Sequence, residues 1–133
     1  MKPNELFTIA LTVAEKAYAP YSNFRVGAAL LCSDGAVVTG VNVENRSFGL
    51  TICAERSAIT SAITQGKTKF TALAIATPDA EYPVSPCGAC RQVVSEFVKA
   101  EFPVYFGCST DNMITASMGE LFPYDALHEL KKQ

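Results

Sequence analysis

The sequence predicts an α/β fold, a single mixed β-sheet of about five strands sandwiched by helices. Three observations carry this expectation. Segments with helical rhythm alternate with strand-like segments along the 133 residues. The triplet "SDG" at 33–35 joins two apolar runs in the manner of a hairpin. The stretch "FTALAIAT", 70–77, is an unbroken apolar run followed by turn residues, as expected of a central strand covered on both faces.

Each element follows from its residues in turn. Leu6, Ile9, Ala10, Val13 and Ala17 recur at helical spacing over 4–18, and Pro20 ends that helix. "FRVGAALLC", 24–32, and "AVVTGVNV", 36–43, are the paired strands of the hairpin. After the irregular "ENRSFGLT", a second helix is expected from Cys53 to Gln65, closed by Gly66. The apolar strand at 70–77 comes next, and a third helix over 87–99 is marked by Val94, Phe97 and Val98. "PVYFG", 103–107, is a further strand, and 124–132 is expected to form a short terminal helix.

The length fits one domain, 1–133, with room for a core. Apolar residues make up 49% and charged residues 18%, the balance of a compact soluble protein. No run of apolar residues is long enough to span a bilayer, so no membrane association is expected. Glu5 and Glu15, with no small-residue cleavage site, argue against an export signal. A net charge of −2 with scattered basic residues argues against nucleic-acid binding. Five cysteines without an export signal point to reduced thiols and a cytoplasmic location.

Two short stretches carry the chemistry. "SPCGACRQVV", 85–94, sets Cys87 and Cys90 at the start of a helix, a spacing that can hold zinc or cycle a disulfide. The single histidine, His128, is far away along the chain. "TICAERSAIT", 51–60, places Cys53 at the start of another helix. Two helix starts can converge on one ion, giving three thiolates and a fourth tetrahedral position for water, the pattern of catalytic zinc. Glu55, two residues after Cys53, can reach over the open side as a general acid/base. Three thiolates on Zn²⁺ leave a net negative charge, which opposes ionisation of a bound water. Arg56 and Arg91, beside the ligands, are therefore expected to hydrogen-bond to the sulfurs and draw off charge. A thioredoxin-like redox pair would leave Cys53 and Glu55 without a role. A structural zinc closed by Cys32 or Cys108 would leave Glu55 idle.

With these motifs in place, the chain resembles the small cytidine deaminases, zinc enzymes acting on nucleosides. The likeness covers roughly residues 15–110 and rests on "APYSNFRVGAAL", "GVNVEN", "SFGLTICAERSA" and "PCGACRQV". A first-ligand cysteine in place of histidine is a variant described for zinc deaminases. The resemblance implies a three-layer fold and one Zn²⁺ per chain, held by Cys53, Cys87 and Cys90, with Glu55 as proton shuttle. It also implies a homotetramer with active sites shared between subunits. Asn42 and Glu44 match the pair that holds the ribose, Phe24 the aromatic against the pyrimidine, and Ala54 the backbone that reads the base. The implied reaction is hydrolysis of cytidine or 2′-deoxycytidine to uridine or 2′-deoxyuridine with release of ammonia. Deaminases of blasticidin-type antibiotics share Cys-Ala-Glu and the Pro-Cys pair, but "NVEN" and Arg56 favour the nucleoside. Arg46 and Phe48 depart from the small residue and tyrosine usual in the family. The tail also lacks the usual phenylalanine, with Tyr124 the nearest aromatic.

Overall fold

The structure, a computed structural model, describes residues 1–131. Among them five strands form one sheet: β1 (Gly27–Cys32), β2 (Val37–Val41), β3 (Phe70–Ala76), β4 (Pro103–Ser109) and β5 (Asn112–Ser117). Their order is β2-β1-β3-β4-β5. The sheet is mixed, because β3 and β4 run parallel while the other neighbours are antiparallel. The parallel pair needs a crossover, which the helix α3 (Gly88–Ser95) supplies.

Alternation along the strands sorts the layers. Ala29, Ala72, Ala74 and Ala76 face one side and pack against Leu6, Phe7 and Ala10 of α1 (Pro3–Val13). Ala28, Leu30, Leu73 and Ile75 face the other side, where they meet Ala58 and Ile59 of α2 (Ala54–Thr64) and Val94 of α3. β3 is thus covered on both faces, as its unbroken apolar run predicted. The hairpin turns where expected, with Gly35 at φ +89° and Cys32 N–H donating to Ala36 O at 2.8 Å.

Close approach of helices to the sheet depends on two glycines. A Cβ on Gly27 would lie 2.0 Å from Ala10 O of α1. One on Gly40 would lie 2.4 Å from Ala58 N and 2.5 Å from Ala54 O of α2. Gly40 therefore sets how deeply the first turn of α2, and Cys53 before it, sits on the sheet.

Several boundaries differ from the sequence reading. β1 starts at Gly27, because 24–26 is held mainly by side chains, with a single backbone bond from Asn42 N–H to Val26 O. α3 stops at Ser95, although its apolar stripe continues to Val98. Glu96 and Phe97 bond three residues back, and Lys131 Nζ donates to Ser95 O and Val98 O at 3.0 and 2.9 Å. The fifth strand of the expected sheet was not located in the sequence; it is β5, a largely exposed edge strand without apolar alternation. The expected helix at 124–132 does not form. Tyr124 and Leu127 adopt left-handed φ values of 55° and 61°, incompatible with a right-handed helix, and only a 3₁₀ turn at His128–Leu130 remains. Its last residue, 132, lies outside the described residues. A short helix α4 (Met118–Leu121) closes the sheet's far end behind a capping box formed by Ser117 and Glu120.

Gly40→Ala is expected to destabilise the fold by about 1–3 kcal/mol, toward the upper end because the clash is with backbone. A urea midpoint that stays put would show that α2 does not need this approach.

Candidate active site

The first residues of α2 and α3 meet at one end of the sheet. Cys53 is the N-cap of α2 and Cys87 the N-cap of α3, both extended, and Cys90 lies one turn into α3. Their three Sγ atoms lie within 4.8 Å of one another, with Cys53–Cys87 at 3.9 Å and Cys87–Cys90 at 3.3 Å. A tetrahedral zinc with Zn–S bonds of about 2.3 Å requires sulfurs about 3.8 Å apart. The three thiols fit that geometry, and the positive ends of two helices favour their ionised form.

The charges around them are uneven. Cys53 is brought down to about 5, chiefly by its bond with the Cys90 thiol and next by Arg56, whose Nη2 donates to Cys53 Sγ at 3.2 Å. Cys90, bonded to Cys53 and buried, is pushed up in return. Arg56 reaches a sulfur. Arg91 does not. Its Nε donates to Pro86 O at 2.7 Å, Nη1 to Leu121 O at 2.7 Å and Nη2 to Ser85 Oγ at 2.8 Å. Its fork is spent on the loop that delivers Cys87 and on the end of α4, so it steadies the ligand loop instead of bonding to sulfur.

Glu55 is 4% exposed. Burial first, and then the negative charge of Cys53, lifts its carboxyl to about 7. It lines a hollow of about 190 Å³ together with Phe24, Asn42, Cys53, Ala54 and Cys87. Larger hollows of about 500 and 690 Å³ lie near the end of α3, but neither contains a thiol of the cluster, and chemistry marks the smaller one.

The remaining sequence candidates surround this hollow in different ways. Asn42 is buried, its Oδ1 accepting from Val26 N–H at 2.9 Å and its Nδ2 donating to Phe24 O at 2.8 Å. Glu44 does not line the hollow. Its carboxylate accepts from the Ser22 hydroxyl and from the N–H groups of Tyr21 and Ser22 at 3.0 and 3.2 Å. The Ser22 hydroxyl, first among these, holds it below the usual carboxylate range. Tyr124 is fully exposed in this chain. Thr77, Val84 and Ser85 also line the hollow and were not singled out from sequence. Val26 and Thr51 line it too, and these two with Ser85 stood inside recognised motifs.

A site that can hold one metal ion beside a buried acid at the edge of an α/β sheet defines a metal-dependent hydrolytic class. The family model described as cytidine and deoxycytidylate deaminase zinc-binding region matches residues 1–106. A cytidine deaminase of Halalkalibacterium halodurans is 46% identical over 114 residues, covering 86% of this chain and 86% of its own. One from Sporosarcina psychrophila is 43% identical over 123 residues, covering 92% and 90%. The crystal structure of cytidine deaminase from Burkholderia pseudomallei superposes with a TM-score of 0.88 at 44% identity, covering 93% of this chain and 98% of that one. With four-fifths of its length inside the family model, the chain belongs to the zinc-binding cytidine and deoxycytidylate deaminase family.

Cys87→Ala is expected to remove the metal and lower thermal stability, since the ion ties two helix starts together. Metal analysis of the purified variant should find zinc reduced from about one per chain to a trace. Retention of a full equivalent would show that Cys87 is not a ligand.

Proposed function

We propose that the protein hydrolyses cytidine and 2′-deoxycytidine to uridine and 2′-deoxyuridine, releasing ammonia. The observation that carries this reading is the placement of Glu55, a buried carboxyl that lines the same hollow as Cys53 and Cys87 of the three-thiol cluster. A group titrating near neutrality can both accept and return a proton.

The thiolates of Cys53, Cys87 and Cys90 would hold the zinc, which would supply a Lewis acid able to make a water acidic near neutral pH. Glu55 takes the proton of the attacking water and delivers it to N3 of the base as the C4–O bond forms. It then carries the proton of the new hydroxyl to the amino group, and the C4–N bond breaks to leave ammonia and the uracil carbonyl. Arg56, donating to Cys53, draws negative charge from the sulfur and so limits the ligands' opposition to that chemistry. Arg91 holds the loop that presents Cys87.

Phe24 lies against the pyrimidine ring. The Ala54 N–H, an unpaired amide of the first turn of α2, reads the polar edge of the base. Asn42 and Glu44 keep spare hydrogen-bonding capacity for the ribose hydroxyls after their internal contacts are counted.

The whole chain, 1–133, acts as one deaminase domain and assembles as a homotetramer whose sites are shared. Exposed Tyr18, Tyr21, Val43, Phe48, Leu50 and Ile52 support assembly, since they present large apolar side chains around one loop region. Phe48 alone is 75% exposed. The five free thiols are in keeping with the cytosol. Among the described residues no helix is long and apolar enough to cross a membrane.

Glu55→Gln is expected to retain zinc and fold while uridine formation, followed by ultraviolet absorbance and ammonia release, slows by about 10²–10⁴-fold or more. A full rate in that variant would remove Glu55 from the reaction. Zinc-loaded wild-type protein that leaves cytidine unchanged would remove the assigned substrate.

A further inference from the structure

Phe24 belongs to no strand, yet its own polar backbone groups and the two amides that follow it are held. Its N–H donates to Ser22 Oγ at 3.0 Å, and its carbonyl accepts from Asn42 Nδ2. Val26 N–H donates to Asn42 Oδ1. Between them, Arg25 N–H donates to Asp79 Oδ2 at 2.8 Å. The same carboxylate takes Arg25 Nε on Oδ2 at 3.0 Å and Nη2 on Oδ1 at 2.8 Å. A side chain and a backbone amide of one residue thus close on a single carboxylate.

Asp79 stands on the loop between β3 and α3. That loop contributes Thr77, Val84 and Ser85 to the hollow before it reaches Cys87. Phe24 and Val26, on either side of Arg25, line the same hollow. The Arg25–Asp79 contact therefore joins the aromatic wall to the loop wall across an irregular part of the chain. Arg25 also holds the Asp79 carboxyl down to about 2, so the contact persists across the neutral range.

We propose that Asp79, acting through Arg25, is a positioning residue that fixes Phe24 against the pyrimidine ring, and so sets nucleoside affinity rather than the rate of proton transfer. The inference rests on the deaminase reading of this hollow. An ion pair with side chains 40% and 27% exposed contributes little to global stability, so a purely structural role would leave small traces. Positioning instead separates binding from chemistry, because Arg25 and Asp79 bond to each other and to neither Glu55 nor a thiol of the cluster.

The test compares wild type, Asp79→Ala and Asp79→Asn as zinc-loaded proteins, in cytidine turnover and in calorimetric titration with uridine, a ligand that does not react. Asp79→Ala should raise KM about tenfold with kcat within about twofold, weaken uridine by a similar factor and keep its zinc. Asp79→Asn, which keeps a carbonyl oxygen for the Arg25 N–H, should recover most of that loss. Unchanged KM and uridine affinity in Asp79→Ala, beside an active wild type, would overturn the proposal. So would a fall in kcat accompanied by loss of zinc, which would mark general disruption. An inactive zinc-loaded wild type would instead remove the deaminase reading, and the positioning role with it.

Discussion

The site depends on one constraint: two helices must start at the same end of the sheet, close enough for three sulfurs to share an ion. Cys53 and Cys87 are N-caps, so their side chains project at the open ends of α2 and α3, where unpaired amides and helix dipoles favour negative charge. The sheet brings those ends together. β3 separates the two helices in sequence, and Gly40 lets the first turn of α2 lie directly on β2. Without that approach the Cys53 sulfur would sit away from the other two.

The same arrangement explains the buried acid. A carboxyl with 4% exposure is costly when ionised, and its proton affinity rises accordingly. Two residues after Cys53, on the first turn of α2, Glu55 is carried by the helix into the same hollow as that thiol. A fold that puts the thiols in place therefore puts the acid in place as well. Charge on the sulfurs is moderated from one side by Arg56, while Arg91 works mechanically through the loop at 85–87. The two arginines, equivalent by position along the chain, divide into an electrostatic and a structural role.

What the sequence made legible is what lies close along the chain. Cys53, Glu55 and Arg56 fall within four consecutive residues, and Cys87 and Cys90 within another four, so local helix geometry was enough to relate them. The central strand and the hairpin were readable for the same reason, as continuous apolar runs with a glycine turn between two of them. Arg91 was placed wrongly because a long side chain chooses among acceptors that only the folded loop presents. β5 was missed because an exposed edge strand carries no inward-facing alternation. The terminal helix failed where Tyr124 and Leu127 take left-handed conformations. Asp79 left no sequence signal, since its partner Arg25 is 54 residues away.

The most direct test of the account is X-ray absorption at the zinc edge of the loaded protein. Three sulfurs at about 2.3 Å with one oxygen or nitrogen at about 2.0 Å are expected, an ion with a position left for chemistry. Four sulfurs would make the ion structural and leave Glu55 without a water to act on. That result would contradict the account at its centre.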